Sequence, residues 1–102
     1  MADEASIENE INDKGLNAPR LSPDKIDNAI RGKYFHIVPG TTMTICVLTL
    51  RNGFNVTGES AAASPENFDK EIGEKIAFNN ARDKVWMLEG YLLKEKLHNK
   101  EI

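Results

Sequence analysis

Asn52-Gly53 stands between two strand-like runs, TTMTICVLTLR before it and FNVTGES after it. An Asn-Gly pair in that setting is the strongest short-range hairpin signal, because a two-residue type I′ turn needs φ above zero at both central positions. Such a turn fixes the register. Arg51 faces Phe54, Thr49 faces Val56 and Val47 faces Gly58; on the other side Leu50 pairs with Asn55, Leu48 with Thr57 and Cys46 with Glu59. KYFHIV, from Lys33, is aromatic and branched and is cut off by Pro39-Gly40, so it supplies a further strand. Met43, Ile45 and Val47 lie on one face of the first hairpin strand, and Cys46, Leu48 and Leu50 on the other. Both faces are apolar and both require cover. The cover comes from helices or from a second subunit, and a homo-oligomer is the expectation.

Two proline-marked helix starts flank the sheet. In LSPDKIDNAIRG, Ser22 is the N-cap, Pro23 the first helical residue and Asp24 favourable near the positive end of the dipole, so a short helix runs to Gly32. In SPENFD, Ser64 is the predicted N-cap of a long C-terminal helix. Its apolar stripe is Phe68, Ile72, Ile76, Val85, Leu88, Leu92 and Leu97, with the polar segment FNNARD in the middle. Gly73 and Gly90 inside it each cost about 1 kcal/mol against alanine and indicate a close approach or a bend. The expected fold is α+β: an antiparallel sheet of three or four strands built on the central hairpin, packed by one long C-terminal helix and one short N-terminal helix. Residues 1–20 read as an acidic, flexible or partner-dependent arm, and residues 21–102 as a single α+β domain.

A chain of 102 residues suits one modest core. The formal net charge is −3, which argues against general DNA binding through phosphate neutralisation. The imbalance is local, since residues 1–30 hold seven acids against three bases and the remaining residues are close to neutral. A small anionic ligand therefore stays open. Cys46 is the single cysteine and sits in an apolar run, which fits a reducing compartment and makes it a small core residue rather than a nucleophile. No apolar stretch reaches the length of a membrane span, and the acidic start lacks the basic-then-apolar pattern of a signal peptide. Cytoplasmic residence is expected.

No catalytic set can be assembled. His36 and His98 have no spacing that implies a metal site or a nucleophile's base, and no phosphate-binding glycine loop is present. An enzyme is disfavoured; no metal and no cofactor are expected. The polar segment offers more. Asn79, Asn80, Arg82 and Lys84 beside Phe78 and Trp86 are the group types that hold a nucleotide, with amides for base edges, cations for phosphate and aromatics for stacking. The alternative is a solvated helix face with Trp86 in the core. Ser60 to Ser64 are all small, so either a ligand approaches closely there or the chain only turns from strand to helix. On the first reading Ala62, Ser64, Asn67 and Phe68 border a pocket at the helix N-terminus, an anion seat. Asn80, Arg82 and Lys84 then close it from this helix or a neighbour's, and Arg82→Glu should abolish capture while sparing the fold.

The stretch TICVLTLRNGFNVTGESAAASPENFDKEIGEKIAFNNARDKVWMLEGYLLKEKL, Thr44 to Leu97, resembles the small tailed-phage proteins grouped as the gene-product-forty-nine-like family. The shared marks are the NGF turn, the GES-small-SPENFD junction and a helix ending in W-x-LEGYLL, with KGLNAPRLSPDKIDNAI fitting upstream. The same pattern is similar to phage Thoeris anti-defence proteins of the first type. That resemblance implies an oligomeric sponge in the cytoplasm of an infected bacterial host, holding a cyclic ADP-ribose-type or cyclic oligonucleotide signal without cleaving it. The segment AFNNARD is less charged than the resemblance implies, with Phe78 where a basic residue is usual. The other functional class left open is a phage protein-interaction module that binds and inhibits a host protein.

Overall fold

The computed structural model describes residues 3–102. Along the chain run α1 (Glu4–Asp13), α2 (Pro23–Ala29), β1 (Ile30–Ile37), β2 (Met43–Leu50), β3 (Asn55–Ala61), a single 3-10 turn (Pro65–Asn67) and α3 (Lys70–His98). The three strands form an antiparallel meander in the order β1-β2-β3. The fold is therefore α+β with a three-stranded sheet, one long C-terminal helix and short helices before the sheet.

The hairpin lies where Asn52-Gly53 places it, but its register differs from the expected one by a single residue. Leu48 pairs with Val56 and Cys46 with Gly58, and not with Thr57 and Glu59. The loop has three residues, not two. Leu50 N donates to Phe54 O at 2.8 Å and Gly53 N to Leu50 O at 2.9 Å. Gly53 alone carries positive φ, +90°, so Arg51 and Asn52 are not in the I′ conformation. A turn followed by one left-handed glycine is the next commonest hairpin connection. Asn52 Oδ1 secures it by accepting from Phe54 N at 3.0 Å.

The one-residue slip turns every β3 side chain over. It sends Val56, Gly58 and Ser60 towards α3 together with Thr44, Cys46, Leu48 and Leu50 of β2. Packing explains why this register wins. A Cβ on Gly58 would lie 2.2 Å from Ala81 N and 2.5 Å from Ala77 O, so strand and helix backbones touch directly at that residue. Only glycine fits, and the expected register would have put Glu59 there. The core is Ile26, Ala29, Cys46, Leu48, Leu50, Val56, Ala77, Ala81 and Val85, with α2 contributing the first two. Gly73 has a similar reason, since a Cβ on it would meet Thr44 Oγ1 at 2.9 Å.

At the SPENFD junction the long helix does not begin at Ser64. Ser64 makes no side-chain cap bond and leads only into the 3-10 turn. The cap of α3 is Asp69, whose carboxylate accepts from Ile72 N at 2.9 Å. Two cap-like residues follow each other in the sequence, and the second starts the helix. The first twenty residues contain α1, which begins at an Asp3 cap. It has no buried residue of its own and is joined to the rest by side chains.

Candidate functional site

The seven residues expected to share a pocket occupy separate places in one chain. Ala62, Asn67 and Phe68 do meet, in a hollow of about 80 Å³ that Ser60, Ile72 and Ile76 also line. That is well below the roughly 300 Å³ at which small-molecule sites begin. Ser64 is exposed and heads no α-helix, so the anion seat expected at its N–H groups is absent; the true helix start is already occupied by the Asp69 carboxylate. Asn80 is spent on the sheet edge, donating Nδ2 to Glu59 O at 2.9 Å. Lys84 is exposed.

Arg82 has a structural task. It is 7% exposed and gives Nε to Asp27 Oδ1 at 2.9 Å, Nη1 to Glu4 Oε2 at 2.6 Å and Nη2 to Pro23 O at 3.3 Å. The same Glu4 oxygen accepts from Trp86 Nε1 at 3.0 Å. The Arg82 hydrogen bond holds the Glu4 carboxyl below its ordinary pKa, against the opposing effect of partial burial. One guanidinium thus ties α1, α2 and α3 together. Arg82→Glu would place a third carboxylate beside Glu4 and Asp27, so it cannot spare the fold as the sequence reading held. A cleft of about 610 Å³ contains Asn79 and Arg82 but is bordered by Asp3, Glu4, Glu8 and Asp24. That setting repels a phosphate.

Other reactive groups are similarly committed. Cys46 is fully buried, and desolvation pushes its thiol up, which makes it inert as a nucleophile. Lys33 lies 5.3 Å from the centroid of the Phe78 ring, a cation–π contact on the helix side of the sheet. Among the described residues no group of three His, Cys, Asp or Glu side chains is placed to hold a metal ion. No helix of the described residues is long and apolar enough to cross a membrane.

What lies open is the second face of the sheet. By register it carries Tyr34 and His36 of β1, Met43, Ile45, Val47 and Thr49 of β2, and Thr57 and Glu59 of β3. Helix α3 covers the other side, and no element among the described residues covers this one: Tyr34 is 61% exposed and Met43 39%. The Tyr34 and His36 rings stack in parallel, with centroids 6.5 Å apart and planes 14° from each other. A flat aromatic pair on a sheet, with Ile45 and Val47 beside it and threonine hydroxyls at its margin, is chemically suited to a planar ring or an apolar protein surface. Sequence reasoning passed over this pair by treating KYFHIV as strand filler. The period-two alternation that puts residues 34 and 36 on one face was the available signal.

The fold and its open face define the class: a small α+β protein in which a long helix shields one side of a three-stranded meander and leaves the other bare. Within that class, the model of the phage protein (N4 Gp49/phage Sf6 gene 66) family matches residues 21–97, and the chain belongs to this family. The matched span takes in the sheet and nearly all of α3, while α1 lies outside it. No curated protein and no solved structure matches the chain.

Proposed function

We propose that this phage-family protein is a non-enzymatic binding protein whose binding surface is the open face of the sheet, and that its ligand is a cyclic nucleotide-type signal of an infected host, sequestered intact. The stacked Tyr34–His36 pair on an uncovered sheet carries the proposal. Exposed aromatics on a sheet stack bases without regard to sequence, each worth roughly 1–3 kcal/mol. The Ala62–Phe68 hollow, at about 80 Å³, is too small to hold a nucleotide alone. The ligand is therefore held between copies, with the sheet face of one against a neighbour, in the host cytoplasm. The resemblance to Thoeris anti-defence proteins supports the same ligand class.

The same face favours a second reading, a module that docks on a host protein, because Met43, Ile45, Val47 and Tyr34 form an apolar patch of the kind that marks protein contacts. Affinity capture with tagged protein from infected cells, followed by heating and mass analysis of what is released, separates the two. The sponge yields an intact cyclic nucleotide and no stoichiometric protein. A stoichiometric host protein with no small molecule overturns it in favour of the docking module.

A further inference from the structure

We infer that β1 is a self-pairing edge, through which two copies join their sheets antiparallel about a two-fold axis at Phe35, so that Tyr34 of each lies opposite His36 of the other. The inference rests on reading the chain as an assembly, but not on the identity of its ligand.

The two edges of the sheet differ. On β3, the outermost strand on one side, Asn80 reaches from α3 and donates to Glu59 O at 2.9 Å, and α3 itself lies over β3 and β2. β1 is the outermost strand on the other side. Val38 N donates to Met43 O at 3.0 Å. By the alternation of an antiparallel ladder, residues 34, 36 and 38 therefore turn their backbone groups to β2, and Lys33, Phe35 and Ile37 turn theirs outward. Among the described residues no partner reaches those outward N–H and C=O groups. Such an edge is a template for another strand, and proteins blunt it with a proline, a bulge or a charge. Here the proline and the bulge fall outside the stretch, at Pro39 and between Ile30 and Gly32. The Lys33 ammonium is drawn back over the Phe78 ring, 5.3 Å from its centroid.

A second copy fits this edge in one register. Pairing Phe35 with Phe35 of the second copy sets Lys33 against its Ile37 and keeps the ladder inside the regular stretch 33–37, with about six backbone hydrogen bonds. Moving the axis by one residue brings into the ladder either the bulged Arg31 or Pro39, which has no N–H. Moving it back to Lys33 sets that lysine against its own copy, with like charges directly opposed. On the open face the Phe35 register places Tyr34 opposite His36 of the second copy, and His36 opposite its Tyr34, in the close, non-hydrogen-bonded pairs with Cα atoms about 4.5 Å apart. The stacked Tyr34–His36 pair of each chain then merges with its counterpart into one aromatic platform centred on the joint. A planar ring seated there touches both copies.

Sedimentation velocity on the full chain over a concentration series, together with cysteine pairing, tests this. The parent should dimerise. Lys33→Pro removes an outward N–H and leaves the ladder to β2 intact. The two-fold axis removes that bond twice, so the dimer should weaken at least about tenfold with unchanged circular dichroism. Under mild oxidation, mixed Tyr34→Cys and His36→Cys chains should join by a disulfide, because their Cα separation falls in the range of about 4.4–6.8 Å that the bond requires, while neither variant alone should cross-link. Cys46 is buried and does not compete. A dimer as tight in Lys33→Pro as in the parent, without the mixed disulfide, overturns the edge pairing while leaving assembly through another surface, and with it the proposed function, intact. A monomer at all concentrations overturns both and leaves the edge to a strand of another protein.

Discussion

Gly58→Ala should be the most damaging single-methyl change in this protein. The added Cβ would stand 2.2 Å from Ala81 N, 2.5 Å from Ala77 O and 2.8 Å from Ala81 Cα. All three are main-chain atoms of α3, so no side chain can rotate away. Restoring ordinary contact means moving helix and sheet apart by on the order of 1 Å across the interface that buries Ala77, Ala81 and Val85 against Cys46, Leu48 and Val56. Overpacking of this kind costs about 1–3 kcal/mol, and a site where neither side can yield belongs at about 3 kcal/mol. In a domain of this size each kcal/mol lowers Tm by about 4–8 °C, so thermal unfolding followed by circular dichroism should show a fall of about 12–24 °C. Gly32→Ala is the control. Gly32 is exposed on β1 with nothing within 4 Å of its would-be Cβ, and its replacement should change stability by no more than about 0.5 kcal/mol. A Gly58→Ala melt within a few degrees of the parent would refute the close contact and with it the register.

Two further outcomes concern the Arg82 network. Arg82→Ala leaves two carboxylates facing each other without their cation; breaking a buried pair costs about 3–5 kcal/mol, but Glu4 and Asp27 are 27% and 59% exposed and water screens them, so about 2 kcal/mol is expected, with altered Trp86 fluorescence as α1 detaches. Because the folded-state pKa of Glu4 lies below its ordinary 4.5, its contribution is fully present above that value and is lost as pH falls through the lowered one. The Tm difference between the parent and Glu4→Gln should therefore be constant near neutrality and shrink below about pH 4.5; a difference that grows on acidification would contradict this.

Elements marked by local chemistry could be read from the sequence. Asn52-Gly53 located the hairpin, Ser22-Pro23 located α2, and the apolar spacing from Phe68 to Leu97 indicated α3, because each signal acts within a few residues; the stripe did not mark the buried face, since Ile72, Ile76, Leu92 and Leu97 are exposed and Ala77, Ala81, Arg82 and Val85 are buried instead. What could not be read depends on distant partners. Whether the hairpin loop has two or three residues is decided at Gly58, where only a glycine lets β3 reach Ala77 and Ala81. The choice between Ser64 and Asp69 as helix cap depends on where α3 must start to lay Gly73 over Thr44. Arg82 looked like a ligand residue because its real partners, Asp27 and Glu4, are 55 and 78 positions away in the chain. The two apolar faces of β2 were legible; only the fold shows that Cys46, Leu48 and Leu50 are covered from within and that Ile45 and Val47 are not.

The central claim, that the bare face of the sheet is the binding surface, is tested most directly by titrating isotope-labelled protein with cyclic ADP-ribose isomers and cyclic di- and trinucleotides while following backbone amide NMR signals. Saturable shifts should cluster at Tyr34, His36, Ile45 and Val47 and vanish in Tyr34→Ala, an exposed position whose loss leaves the fold unchanged. Shifts confined to residues 62–68, or no shift with any of these ligands, would contradict it.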